Sequence, residues 1–365
     1  MPDRRSREPE HPMVSVLMPA YNREAFIRAS IASVIGQTFQ DFELIIVDDG
    51  SADRTREIVR SINDSRLRLV ENSVNLGIAK SRNKAIDIAR GTYLAWLDSD
   101  DIATVDRLEK QVLFLEQHPD FCLCCGNADI IDERGNRIEG PLYRKGSPPL
   151  NWLLLWGNPI AQSSVMIRRS FLVSESLLYN ESLPLSEDYD LWCRIAKIGK
   201  THRLEDTILH YRRTEGSAFH SAMGKAFAVA AKTNEAYARS ICGNYDVRHE
   251  ALTVFGSGMK DRFDGMGAAS IAQLFRESRR AFLGLFPADR EVIHAIDLDI
   301  IEMLRAFVEI RPILAKGWRN AAALLSIAPD AYFSALAARA VAWLKKRLRP
   351  FALSSHDFFA KRRTR

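Results

Sequence analysis

Four times between Val14 and Asp101 the same event recurs: a short apolar run without alternation breaks off in a polar loop, and three of the four loops lead into a helical pattern. "VSVLM" gives way to "PAYN" and to a helix with Ile27, Ile31, Val34 and Ile35 at helical spacing; "FELIIV" gives way to "DDGSAD" and a helix that Asp53 is placed to cap, with Ile58 and Ile62 on one face. "RLRLV" leads through "ENSVNLG" to a helix running to Ala89 and closed by Gly91, and "TYLAWL" ends in "DSDD". Strands that are apolar on both faces need cover on both faces, so this pattern predicts a parallel sheet with helices packed on either side. In such sheets ligands bind beyond the carboxyl ends of the strands. The loops "PAYN", "DDGS" and "DSDD" therefore converge on one edge.

The last of these loops carries a conflict. Asp98, Asp100 and Asp101 crowd together at the end of a dry run. Like charges at that spacing repel by about 1 kcal/mol or more even at surface dielectric, and each disfavours ionisation of the next. A cation, or a ligand that brings one, removes the conflict. No GxGxxG follows the first run and no GxxxxGK[ST] occurs anywhere, which disfavours an ordinary dinucleotide fold and excludes P-loop chemistry.

The remaining text divides the chain. A polar arm covers residues 1–12 and is expected to be disordered; the strand–helix alternation and a less regular stretch occupy 13–220; residues 221–365 are rich in Ala, Leu, Arg and Phe and read as helical. In the irregular stretch, "SSVMIRR" reads as a strand and "LPLSEDYDLWCRIAKIG" as a loop entering a helix. The five cysteines include the cluster "FCLCCGNADI", but no CxxC pair or nearby histidine completes a zinc site, and they read as buried strand residues. The polar start lacks the apolar region of a signal peptide, which points to a reducing cytoplasm. The longest uncharged window, "SPPLNWLLLWGNPIAQSSVMI", holds Pro, Asn, Gly and Gln through its middle and does not read as a membrane span. Net charge is only +5, yet Arg339, Lys345, Lys346, Arg347, Arg349, Lys361, Arg362, Arg363 and Arg365 face Asp357 alone in their part of the tail. "AYFSALAARAVAWLKKRLRPF" suits either a basic amphipathic helix on an anionic membrane surface or a helix packed on the protein with a solvated end.

The text "VSVLMPAYNREAFIRASIASVIGQTFQDFELIIVDDGSADRT", then "NLGIAKSRNKAIDIARGTYLAWLDSDD" and "SEDYDLWCRIA", resembles the family 2 inverting glycosyltransferases. The resemblance covers residues 14 to about 217. It implies an α/β fold of the glycosyltransferase A (GT-A) type, a mixed Rossmann-like sheet flanked by helices, and transfer of a sugar from a nucleotide-diphosphate donor, UDP for preference, to a glycan or lipid-linked acceptor in cell-surface polysaccharide synthesis, with no nucleic acid partner. Cytoplasmic residence, peripheral on the inner face of the membrane, fits that setting. By motif position, Asp100 would ligate Mn²⁺ or Mg²⁺ held by the donor's diphosphate, with Asp98 on the ribose and Ser99 between them. Pro19 and Tyr21 would contact the base, Asp49 or else Asp48 would accept the imide N–H of uracil, and Arg82 would meet base or phosphate if it is not in a plain ion pair. Asp188 would be the general base and Glu187 would orient the acceptor; Trp192 is either a sugar platform or core. Where the family often carries His after Tyr-Arg-x, "YRRTEGS" has Thr214, with Arg212, Arg213 and Ser217 left to meet phosphate and His210 and His220 flanking the stretch. The alternatives are a catalytically silent nucleotide-sugar-binding module and a nucleotidyltransferase, whose Gly-rich basic loop "PAYNRE" does not supply.

Overall fold

The structure, a computed structural model, describes residues 11–143, 145–183, 185–214, 223–242 and 268–307. In chain order it runs β1 (Val14–Ala20), α1 (Ile27–Ile35), β2 (Phe42–Asp48), α2 (Thr55–Arg60), β3 (Leu67–Glu71), α3 (Ile78–Ile88), β4 (Tyr93–Trp96), β5 (Ile102–Ala103), α4 (Arg107–Gln117), β6 (Phe121–Ile131) and β7 (Arg137–Glu139). There follow α5 (Leu150–Leu153), a short 3-10 turn (Gln162–Ser164), β8 (Met166–Arg168), α6 (Arg169–Ser174), α7 (Glu187–Ile198), β9 (Lys200–Arg212) and α8 (Met223–Cys242).

The strands form one nine-stranded sheet in the order β3-β2-β1-β4-β8-β6-β9-β5, with β7 beside β6. Its first four strands are the apolar runs and are parallel, in register from Val14–Phe42 to Ala20–Asp48 across the central pair. Every residue of β1, β2 and β4 is buried, as the missing alternation requires. Beyond β4 the sheet turns mixed: β8 is antiparallel to both β4 and β6, whereas the long strands β6 and β9 run parallel to each other. The strand read from "SSVMIRR" is β8, and Cys122, Cys124 and Cys125 lie buried in β6 as free thiols. The sequence reading lacked β9, because its first half is exposed or half-buried and shows no apolar run.

Two local expectations shift. Asp53 does not cap α2; Arg54 holds that position, and the Asp53 carboxylate takes the amide of Thr55 and, across the loop, that of Glu24. Gly91 serves less to stop α3 than to let chains approach, since a Cβ there would sit 2.4 Å from the Ser15 amide nitrogen of β1.

The chain forms two compact units that divide between Ser257 and Gly258 rather than near residue 220. The reason is α8, which packs on α7: buried Asn234 donates to the Leu155 carbonyl (2.9 Å) and to the Tyr189 hydroxyl (2.7 Å), tying it into the first unit. Within the second unit, α9 (Ala268–Leu285) and α10 (Arg290–Phe307) pack together with Arg279 on Asp297 at 2.5 Å. The N-terminal arm up to residue 10 and the basic tail lie outside the described residues. No described helix is long and apolar enough to cross a membrane.

Candidate active site

The loops after β1, β2 and β4 meet at one edge, the first two joined by hydrogen bonds and the third reached by the ion pair of Arg23 with Asp100. The first two are laced together: Asn22 N–H donates to Ser51 Oγ (2.9 Å), Ala52 N–H to Asn22 Oδ1 (2.9 Å), and Arg23 N–H to Thr55 Oγ1 (2.7 Å). Asn22 sits at φ 52°, a left-handed conformation that Asn tolerates, and this turns the chain out of β1. Pro19 lies buried in β1, at a point where the ladder to β4 has already ended at Leu17–Trp96, so its missing N–H costs no bond there. Tyr21 stands free, 44% exposed, with a ring available for stacking.

The paired aspartates after β2 have separate duties. Asp49 accepts from Asn72 Nδ2 (2.8 Å), Leu76 N–H (2.9 Å) and Gly77 N–H (2.9 Å), and so fastens the 72–77 loop. One of a carboxylate's four acceptor positions remains for a ligand. Asp48 accepts the Ser51 amide on Oδ1 (3.0 Å), but its buried Oδ2 has no partner. Gly50, at φ 75°, lets the turn pass the Val74 backbone, which a Cβ would meet at 2.7 Å.

At the acidic loop, Asp98 N–H donates to Ser163 Oγ (2.9 Å), while Ser99 and Asp101 are buried. Arg212, expected to meet phosphate, instead seals the loop from behind. Its amide donates to Asp101 Oδ1 (2.7 Å), its Nε to the Asp100 carbonyl (2.7 Å), and its Nη1 to the carbonyls of Asp132 (2.8 Å) and Glu133 (2.9 Å). Arg107, also fully buried, holds the Trp96 carbonyl at 2.7 Å where β4 ends. Asp98 and Asp100 both keep part of the side chain exposed, 27% and 20%; Asp98 is held by Arg82, which it shares with Glu187, and Asp100 has Arg23 Nε at 3.3 Å. Burial, and then the charge of Asp98, raise the Asp100 carboxyl above its ordinary range; burial and both neighbours push Asp101 up further. The hard oxygens of this loop suit Mg²⁺ or Mn²⁺. Among the described residues no three His, Cys, Asp or Glu side chains gather as a cage, so a cation here would draw further ligands from a bound phosphate.

The fourth component comes from α7. Ser186, its N-cap, is held at φ 61°, a strained angle for Ser that presents the first turn of the helix to the same edge. Asp188 accepts from Asn158 Nδ2 (3.0 Å) and from the Tyr189 amide (2.7 Å). Burial and the adjacent Glu187 charge raise its pKa to about 6, against the lowering pull of Arg82 and these two bonds. Glu187 is turned inward: it is 5% exposed and its Oε1 lies 2.5 Å from Arg82 Nη1. Arg82 is no surface pair: it is 5% exposed, and its Nη2 holds Asp98 Oδ1 at 3.1 Å from within the protein. Trp192 is core, 1% exposed and edge-on to Tyr179.

Of the flanking residues, Arg213 pairs with Glu139 at 3.2 Å on the surface and His210 faces Ile102 in the β5–β9 ladder, while Ser217 and His220 lie outside the described residues. Sequence reasoning missed Arg23, Asn158, Ser163 and Arg107. Arg23 stood inside a quoted motif and could have been found there; the others have no local signal.

Residues 15–177 match the family model described as glycosyl transferase family 2. Relatives include an uncharacterized glycosyltransferase of Methanocaldococcus jannaschii, 37% identical over 211 residues, which are 56% of this chain and 72% of that protein. Another is the Escherichia coli UDP-Glc:alpha-D-GlcNAc-diphosphoundecaprenol beta-1,3-glucosyltransferase WfgD, 38% identical over 186 residues, 51% of this chain and 70% of that one. An uncharacterized glycosyltransferase of Haemophilus influenzae is 33% identical over 211 residues, and the match spans 65% of its length. In fold the chain is similar to S. aureus TarS 1-349 solved in complex with UDP-GlcNAc, with a TM-score of 0.53 at 21% identity over 86% of this chain and 88% of that one. With the mixed sheet, the acidic loop after β4 and the match across β1 to β8, the chain belongs to the family 2 glycosyltransferases and has the GT-A fold.

Proposed function

We propose that the protein transfers a sugar from a UDP-sugar to a lipid-linked glycan, with inversion, in the assembly of a surface polysaccharide. The observation that carries this reading is the link, through Arg82, of the acidic loop that carries Asp100 to the first turn of the helix that carries Asp188, a carboxylate whose pKa is raised to about 6. An inverting transfer needs both: a place for the departing diphosphate and, on the opposite face of the sugar, one base for the acceptor hydroxyl. The nucleoside half is supported by exposed Tyr21, the spare oxygen of Asp48 and the remaining acceptor position of Asp49. The acceptor class is supported by the names of two Escherichia coli relatives, WfgD and WfaP, both glucosyltransferases acting on GlcNAc-diphosphoundecaprenol.

Asp100 would hold Mn²⁺ or Mg²⁺ together with the donor's phosphates, and the cation would offset charge on the leaving diphosphate. The chain's own residues do the rest. Asp188, kept in place by Asn158 and the Tyr189 amide, takes the acceptor proton on whichever oxygen faces the sugar; its raised pKa gives it basicity while leaving it mostly ionised at pH 7. The laced 21–24 and 51–55 loops keep the nucleoside seat rigid. Location on the inner face of the membrane belongs to the same proposal and rests on the basic tail.

Incubation with UDP-glucose or UDP-GlcNAc, Mn²⁺ and a GlcNAc-diphosphate lipid tests it. The expected result is release of UDP with an extended lipid product of inverted anomeric configuration. Donor binding without any transfer or hydrolysis by the wild-type protein would instead identify a silent nucleotide-sugar-binding module.

A further inference from the structure

Arg82 touches both halves of this site. It projects from α3 into a buried position, with Nη2 3.1 Å from Asp98 of the acidic loop and Nη1 2.5 Å from Glu187 at the start of the base-bearing helix. Its guanidinium also lies over the rings of Tyr179 (5.4 Å) and Trp96 (6.0 Å), which fix its plane, and its buried Nε has no partner. One positive charge is thus divided between two carboxylates, one on the nucleotide side and one next to Asp188. A fork-shaped cation can grip both at once, whereas an ammonium acts as a point charge. We propose that Arg82 is a positioning residue that couples the nucleotide seat to the base helix, so that the state of Glu187 is felt at Asp98 and the state of Asp98 at α7. The inference rests on the reading of Asp98 as a contact of the nucleotide's ribose.

The physical consequence can be read without any turnover. When Glu187 is replaced by the uncharged Gln, Arg82 leans more on Asp98 and draws down its strength as an acceptor for ribose hydroxyls. Glu187 is itself buried against Arg82 and has no contact with the nucleotide loops described above. UDP titrations in the presence of Mn²⁺ on the wild type, Glu187→Gln, Arg82→Met and the double variant complete the cycle. The expected result is that Glu187→Gln weakens UDP threefold or more in the wild-type background and leaves it unchanged in the Arg82→Met background. A loss of equal size in both backgrounds, or no loss in either, overturns the coupling and leaves Arg82 as packing alone. Should Arg82→Met not fold, because it strands a buried Glu187 charge, Arg82→Lys takes its place in the cycle, where the charge remains but the two-pronged grip is lost and Glu187→Gln is expected to weaken UDP by less than in the wild-type background. A wild-type protein that binds no UDP is a separate failure: it sinks the donor reading before any variant is compared, and the inference with it.

Discussion

The nucleotide half of the site and the base half are built by different means. Around β1, β2 and β3 successive βα units place the loops side by side, and those loops are fastened by bonds between neighbouring units, such as Asn22 to Ser51 and Ala52, or Asp49 to residues 72–77. The base half draws on β6, β8 and β9, strands that are not consecutive neighbours, and it is held by single side chains reaching across the chain. Arg212 meets Asp101 over 111 residues, Arg82 meets Glu187 over 105, and Asn158 meets Asp188 over 30. The difference teaches where redundancy lies. In the first half several bonds share each loop, so one loss is shared; in the second, one side chain often holds a whole segment.

The largest effect should therefore come from the base half. Asp188→Asn keeps the shape but cannot take a proton, so transfer should fall by about 10² or more while UDP affinity stays near wild type. In the wild type kcat/KM should rise with pH through about 6 as Asp188 loses its proton, and that limb should be absent from the residual activity of the variant. Wild-type turnover in Asp188→Asn would remove the base assignment and with it the contrast between the halves.

Next comes Arg212→Met, which strips donors from the Asp100, Asp132 and Glu133 carbonyls at once. Leaving such groups unpaired should cost about 3 kcal/mol, read as a lower midpoint in denaturant. An unchanged midpoint would show that the base half is as redundant as the other.

On the nucleotide side, Asn72→Ala removes one of three donors to Asp49 while Leu76 and Gly77 remain. UDP affinity should drop only about threefold, as loss of one neutral-to-carboxylate bond shared with others implies. A hundredfold drop in calorimetric titration would mean that this loop, too, hangs on one contact.

The smallest effect on catalysis should come from Asn158→Ala. It takes from Asp188 a bond that lowers its pKa, the weakest of the causes acting on it, so the acidic limb of kcat/KM should move to higher pH while the rate at pH 7 changes little. A shift to lower pH would show that Asn158 bonds the protonated form. Truncation after Pro329 lies outside the comparison: it should leave UDP binding intact and abolish salt-sensitive co-sedimentation with anionic vesicles, each basic residue contributing about 1 kcal/mol. Equal pelleting of both proteins would leave the tail without that role.

How much of this was legible in the text follows the same division. The parallel strands could be read because burial on both faces leaves an unalternated apolar run, and the site edge followed from where those runs end. Asp98 and Asp100 stood out because charge crowded at a strand's end conflicts with its surroundings, whereas Asp188, one of three acids in a helix's first turn where negative charge is favoured, was reached only through its place in the family motif. Strand β9 did not stand out, since most of its residues are only partly covered and its burial comes from β6 alone on one side and short β5 on the other.

What the sequence determined by itself is therefore the set of local elements and the edge at which their loops gather, because both depend on spacing along the chain. Which carboxylates stay free was decided by the tertiary structure. Glu187 looks as available in the text as Asp188, Asp49 gives no sign that three of its four acceptor positions are taken, and Arg82 and Arg212 look like ligand-binding cations. Folding spends Asp49 on the 72–77 loop, Glu187 on Arg82, and both arginines on the acidic loop. A hydrogen-bond partner a hundred residues away is set by the order of strands in the sheet, and the strength of a buried ion pair is set by the water that order excludes; neither quantity is written in the neighbouring residues.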